Sequence, residues 1–290
     1  MDRSPNCPSP KSHRTSVTAS IDRHRLAAKS RLNRRLLLSG FAGLTCFGRI
    51  NSQDDPTASA RARMVERHLV ERGIKDKRVL EAFRTVPRHE FIRPEARHLA
   101  YEDESIPIGE GQTITPPFDV AFMTEALAPR PDDKIYEVGT GSGYQAAILS
   151  RLVKDVYSVE IHKPLAEGAR KVLDKLGYTN VHSKHGDGYE GWPDAAPFDA
   201  VIVTCAPEKI PLPLIEQLKE GGRMVIPLGD RYNQVVYLMT KKNGNMERVK
   251  ALRPTLFVPM TGRAQKEAAK ERAERKAPAT KPITPESKPK

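Results

Sequence analysis

Apolar positions along this 290-residue chain change their spacing several times. Met64, Leu69 and Val70, then Val79, Leu80 and Phe83, fall at helical spacing, each set forming one apolar face. They predict helices over 60–73 and 76–85. A third amphipathic helix is predicted from Asp119 to Leu127. Beyond it the pattern turns into short apolar runs: the run that ends at Glu137, Val156-Tyr-Ser-Val-Glu160, Val181-His-Ser-Lys-His-Gly-Asp-Gly188 and Phe198-Asp-Ala-Val-Ile-Val-Thr204. The last is nearly all apolar, as a buried parallel strand should be. Helical stretches separate the runs: Tyr144 to Leu152, Lys163 to Leu176 with Gly177 as its stop, and Pro211 to Leu218 ended by Gly221-Gly222. Strand–helix alternation of this kind predicts an α/β fold, a doubly wound, Rossmann-like parallel sheet. Such sheets bind ligands above the carboxyl ends of their strands.

The chemistry falls on that edge. Glu137-Val-Gly-Thr-Gly-Ser-Gly143 joins a strand to a helix, and Gly139, Gly141 and Gly143 let the backbone turn sharply and approach a ligand closely. The following helix directs free N–H groups towards the same place. The spacing is G-x-G-x-G, which differs from the dinucleotide fingerprint. Glu160 ends the next strand, 17 residues after Gly143, where an acid can hold ribose hydroxyls. Asp187 and Gly188 end the third strand, where a carboxylate can meet an adenine amino group. Between the first helices and the sheet, Ile106-Pro-Ile-Gly-Glu-Gly-Gln-Thr-Ile-Thr-Pro-Pro-Phe118 can fold over this edge and present Thr113 and Thr115. Capping of the following helix is the other role open to Thr115.

Charge is concentrated in the tails. Residues 1–50 carry a net +8 and residues 261–290 a net +5, which leaves −1 on 51–260. A basic nucleic-acid-binding surface on the folded part therefore gains no support from the total of +12. The expected division is a basic extension over 1–55, disordered or signal-like, a folded domain over 56–262, and a disordered tail over 263–290. The tail's Lys, Glu, Ala and Pro leave it at most transiently helical. The twelve-residue run Leu36 to Phe47 after Arg34-Arg35 is too short to span a bilayer but has the length of an export signal's apolar core. No stable membrane insertion is expected. Cys7, Cys46 and Cys205 are far apart, so neither a metal site nor a disulfide frame is indicated. His89-Glu-Phe-Ile-Arg93 lacks the second histidine of a zinc-protease helix. His185 reads as a strand-edge residue and Trp192 as a packing anchor.

Several segments together carry a family resemblance: Val86-Pro-Arg-His-Glu-Phe91, Gly111-Gln-Thr-Ile-Thr115, Glu137-Val-Gly-Thr-Gly-Ser-Gly-Tyr-Gln145, Gly186-Asp-Gly-Tyr-Glu-Gly-Trp-Pro193 and Leu218-Lys-Glu-Gly-Gly-Arg-Met-Val-Ile-Pro227. From about Met64 to Pro259 the chain resembles the protein-L-isoaspartate O-methyltransferases. The resemblance implies a mostly parallel sheet with an antiparallel C-terminal part and S-adenosylmethionine as cofactor. It also implies L-isoaspartyl residues of damaged proteins as methyl acceptors. A monomer is expected, cytoplasmic unless Arg34-Arg35 and the apolar run after it form an export signal. Glu137, Gly139, Gly141, Gly143, Glu160, Asp187 and Gly188 would bind the cofactor, and Thr115 would act on the substrate. The family pattern usually has Ser where this chain has Thr115, so the hydroxyl is kept and a methyl added. An RNA or small-molecule methyltransferase is the nearest rival, disfavoured by the core's charge. A cofactor-binding adaptor is disfavoured by the intact motifs, and a dinucleotide oxidoreductase by the loop spacing.

Overall fold

A computed structural model of the chain describes residues 55–276. The Arg34-Arg35 pair, the 36–47 run, Cys7, Cys46, most of the basic extension and the tail beyond 276 lie outside the described residues.

The core is a seven-stranded sheet. Five parallel strands, β3 (Lys134–Val138), β4 (Asp155–Glu160), β5 (Val181–His185), β6 (Phe198–Val203) and β7 (Leu218–Gly229), are followed by β8 (Gln234–Lys242) and β9 (Asn245–Thr255). The order across the sheet is β5-β4-β3-β6-β7-β8-β9, with β8 and β9 antiparallel. The chain therefore crosses from β5 past β3 to β6, and the change of direction opens a crevice above the carboxyl ends of the central strands. Ile135, Val156, Val201 and Ile202 are fully buried, which explains why the central runs read as continuously apolar.

Helices cover both faces. α1 (Ala58–Met64) continues into a wider turn over Val65–Val70, where Glu71 N–H bonds the carbonyl of Glu66 five residues back. The predicted helix over 60–73 is therefore only partly an α-helix. α2 (Lys77–Thr85) is capped by Asp76, and α3 (Pro117–Leu127) carries Phe118, Val120, Met123 and Leu127 into the core. α4 (Tyr144–Ser150) and α5 (Lys163–Lys175) follow β3 and β4 as expected, with Gly177 at φ +75 beyond the end of α5. α6 (Leu212–Gln217) is shorter than expected: Gly221 and Gly222 do not end it but sit inside β7. There the pairing with β6 slips between Phe198 and Ala200, and Gly221 at φ +73 accommodates the bulge.

A separate two-stranded hairpin, β1 (Ile106–Gly109) and β2 (Gln112–Ile114), precedes α3. Past residue 262 the structure departs from the expectation of a disordered tail. Arg263–Lys276 form a helix, α7. Its sequence supplies the reason: helix-favouring Ala, Glu, Lys and Arg with four-residue pairs such as Arg263–Glu267 and Arg275–Glu271.

Candidate active site

The glycine loop leaves β3 at Val138 and turns back at once. Gly139 stands at φ +94, and a Cβ there would lie 2.5 Å from Thr204 Oγ1. That oxygen is 2.8 Å from the carbonyl oxygens of both Val138 and Gly139, so it ties the end of β6 to the start of the loop. Gly141, at φ +54, donates its N–H to Glu160 Oε2 at 2.8 Å. The other Glu160 oxygen accepts the N–H of His162 at 2.9 Å. A carboxylate at the end of β4 thus fixes the loop and its own turn, and keeps further lone pairs for a ligand. α4 has only seven residues, so the folded backbone of the loop, more than a helix dipole, shapes this site.

Glu137 lies behind the loop, fully buried, and is not on the cleft wall. Ser158 Oγ donates to its Oε2 at 2.5 Å, and Thr140 Oγ1 lies 2.6 Å from Ser158 Oγ. Burial raises the Glu137 carboxyl to about 8, so at neutral pH it is mostly protonated. It therefore acts on the loop from beneath. Gly143, at φ +92, also lies behind the cleft, packed on Leu173 and Ala169 of α5.

The cleft itself is lined by Thr115, Gly139, Gly141, Glu160, Asp187 and Gly188. Val138, Val159, Phe257, Val258, Pro259 and Met260 add apolar lining. Gly188 must be glycine because a Cβ would meet Val138 Cγ1 at 2.6 Å. Asp187 accepts Tyr189 N–H at 3.0 Å on one oxygen and Arg263 N–H at 2.7 Å on the other. Cys205 is also on the wall, and burial pushes its thiol well above the ordinary range, so it stays protonated.

The hairpin folds over the loop: Ile108 reaches within 3.5 Å of where a Gly141 Cβ would stand. Gln112 Nε2 lies 3.4 Å from His162 Nε2, a contact that closes the hairpin onto the turn before α5. Thr115 follows the hairpin. Pro116 occupies the cap position of α3, and the Phe118 N–H of its first turn goes to Asp103 Oδ1 at 2.8 Å, so the alternative capping role for Thr115 is not observed. The Thr115 carbonyl accepts from Arg88 Nη2 at 2.8 Å.

Arg88, in the Val86-Pro-Arg-His-Glu-Phe91 segment, carries no mark in the sequence that points to a role at the site. It is fully buried, its guanidinium is 4.7 Å from the Tyr144 ring centre, and no carboxylate among the described residues pairs with it. Burial lowers it to about 10, which leaves it cationic at neutral pH. Ser158, Thr204 and the 257–261 segment were also missed, since each lies in a run whose only visible pattern is strand-like. Trp192 packs edge-on against Tyr157 at 5.2 Å, the anchoring role expected of it, and His185 is exposed beside the Ile161 carbonyl.

The donor set fits a nucleoside with a charged amino-acid end. Two carboxylates stand at neighbouring strand ends, apolar side chains line the same cleft, and a close-approach glycine loop borders it.

Comparison with known proteins agrees with the geometry. Residues 59–265 match the family described as Protein-L-isoaspartate(D-aspartate) O-methyltransferase. The Protein-L-isoaspartate O-methyltransferase of Opitutus terrae is 51% identical over 202 residues, covering 69% of this chain and 86% of the relative. Protein-L-isoaspartate O-methyltransferase 2 of Shewanella sediminis is 49% identical over 209 residues, 72% of this chain and 86% of its own. A solved structure titled protein-L-isoaspartate O-methyltransferase superposes with a TM-score of 0.66 at 29% identity, covering 73% of this chain and 69% of the other. A second, from Plasmodium falciparum, described as a protein in complex with S-adenosyl-L-homocysteine, gives 0.60 at 25% identity over 72% and 99% of the two chains. The sheet, the cleft above its central strands and these matches lead to one conclusion: the chain belongs to the protein-L-isoaspartate(D-aspartate) O-methyltransferase family.

Proposed function

We propose that this cleft transfers the methyl group of S-adenosylmethionine to the free carboxylate of L-isoaspartyl residues in aged proteins and peptides. The observation that carries the reading is the meeting of Glu160 and Asp187 with Thr115 around one cleft. Family membership supports the same cofactor and reaction. Glu160 is placed to accept from ribose hydroxyls, Asp187 from the adenine amino group, and the Gly139–Gly141 loop to approach the amino-acid end. Bound there, the cofactor supplies an electrophilic methyl on a sulfonium.

The chain's own residues then have little proton chemistry to perform. A carboxylate acceptor with a pKa near 4 is ionised at neutral pH, so no general base is required. Thr115 donates its hydroxyl to one carboxylate oxygen and thereby aims the other. Arg88, through the Thr115 carbonyl, holds that residue in place. The hairpin and the 257–261 segment screen the site from water. Alignment of this kind can lower a barrier by several kcal/mol. In the methyl ester product the next residue's amide nitrogen attacks the ester carbonyl and methanol leaves. The resulting succinimide hydrolyses partly to normal aspartate.

We expect a monomer acting on protein substrates, and the near-neutral charge of residues 51–260 gives no support to a nucleic-acid partner. No helix among the described residues is long and apolar enough to cross a membrane. We place the enzyme in the cytoplasm, where cofactor and ageing proteins meet. Incubation of an isoaspartyl peptide with the full chain and S-adenosylmethionine tests the repair reading. Chromatography should show the aspartyl isomer accumulating with release of methanol. An unchanged isoaspartyl peptide after complete turnover of cofactor would refute it.

A further inference from the structure

The family match ends at residue 265, yet α7 runs on to Lys276, and its first residues stand against the cleft. Gly262, at φ +73, passes so close to Asp187 that a Cβ would lie 2.3 Å from its Oδ2 and 2.7 Å from Ile161 Cδ1. The next N–H, that of Arg263, donates to the same oxygen at 2.7 Å. The Arg263 guanidinium grips the turn after Asp187: Nη1 is 3.0 and 3.2 Å from the two oxygens of Glu190, and its carbon stands 5.1 Å from the Tyr189 ring centre. Further along, Glu271 pairs with Lys209 and Arg272 with Glu208, in the segment that follows Cys205. α7 thus bridges the loops leaving β5 and β6, at the end of the cleft where an adenine is expected.

A carboxylate on a short turn loses rotamer freedom when a ligand binds it. Fixing it beforehand removes that cost from the binding step. The backbone N–H bond to Asp187 is charge-assisted and needs no side-chain ordering. The outer ion pairs are exposed and individually weak, so their role is to keep α7 seated.

We infer that α7 is a positioning element for the cofactor: it holds Asp187 and its turn ready for the adenine edge and slows cofactor release. The inference rests on the cofactor site proposed above. It also gives a role to part of the stretch expected to be a disordered tail.

The test uses the full chain. Ala268→Pro breaks α7 after its first turn, and Arg263→Ala removes the grip on Glu190 while keeping the N–H. Titration with S-adenosylhomocysteine should show Kd raised about three- to tenfold in both variants, an effect of the size expected for one charge-assisted bond discounted for exposure. The kcat of Ala268→Pro at saturating cofactor should stay within about twofold of wild type. In an Asp187→Asn background, Ala268→Pro should add little further loss, because the group it positions has gone. Circular dichroism separates this from a stability effect: a lower Tm with unchanged Kd would overturn the inference. So would a lower Kd, which would mean that α7 competes with adenine for Asp187. A wild-type chain that fails to bind S-adenosylhomocysteine would refute the underlying site, whereas wild-type binding with unaffected variants would refute only the role of α7.

Discussion

Thr115 shows how little separates a functional hydroxyl from a structural one. Its carbonyl is held by Arg88, no cap bond engages its side chain in α3, and it faces the cleft beside Tyr144 and Gln145. Thr115→Ser should therefore keep most activity, whereas Thr115→Val, nearly the same shape, should lose about 10²-fold in kcat/KM with little change in Tm. Steady-state kinetics on an isoaspartyl peptide decides it, and equal rates for Val and wild type would remove the hydroxyl from the mechanism. Glu160 is the second test. Glu160→Gln should weaken S-adenosylhomocysteine at least tenfold by calorimetry, since a ribose hydroxyl would lose its charged acceptor. Glu137 makes a different prediction. Its folded value of about 8 lies above an ordinary 4.5, so between those values the folded chain keeps a proton that the unfolded chain has released. The stability this group contributes is present in full below pH 4.5 and is lost as pH rises through 8. Wild-type Tm should fall between pH 5 and pH 8.5 by more than that of Glu137→Gln; parallel curves would contradict the assignment. At this scale the motif residues were legible because each combines an unusual residue type with a fixed place. Burial was not legible: nothing in Glu137-Val-Gly-Thr-Gly says that the acid lies beneath the loop, or that Ser158, on another strand, meets it.

The elements that hold these residues owe their shape to a few backbone positions. Gly139 and Gly177 both sit at positive φ, +94 and +75, but an added Cβ meets Thr204 Oγ1 at 2.5 Å in the first and nothing within 4 Å in the second. Gly177→Ala should cost roughly 1 kcal/mol from conformation alone. Gly139→Ala should cost more and also weaken cofactor binding, because Thr204 must release the loop. Paired denaturation curves, with titration of S-adenosylhomocysteine, would show the difference; equal losses would mean that the Thr204 contact is soft. Strand and helix positions were legible wherever apolar spacing was regular, as in β4, β6 and α5. They were less so where register decides. Gly221-Gly222 resembles a helix stop, but β6 has room for a bulged partner and the two glycines join β7 instead. The wide turn over Val65–Val70 leaves no mark in the apolar spacing, since Leu69 and Val70 remain on one face. α7 was hidden for another reason: a helix built from Lys, Glu, Arg and Ala has no apolar stripe, and its seat is made mainly of ion pairs, one backbone bond and the contacts of Arg263 with Tyr189 and of Ala264 with the core.

Across the whole molecule the charge pattern and the topology divide the labour. The near-neutral 51–260 part contains the sheet and the cleft, while the excess positive charge lies at both ends of the sequence. The parallel part of the sheet supplies Glu160, Asp187 and the glycine loop, and the antiparallel part is followed by the 257–261 segment that lines the same cleft. Fold class and the edge that carries the cleft were readable because strand–helix alternation and the position of the acids both follow the chain. The closing wall was not, because Phe257 to Thr261 meets Ala206 only after the sheet has doubled back. The central claim is that this cleft methylates the carboxylate of an isoaspartyl residue. Its most direct test is the initial rate of label transfer from methyl-labelled S-adenosylmethionine to an isoaspartyl peptide, beside the same peptide with ordinary aspartate. The predicted result is a base-labile methyl ester on the first and no incorporation above background on the second. Equal labelling of both peptides, or of neither while the chain binds S-adenosylhomocysteine, would contradict it.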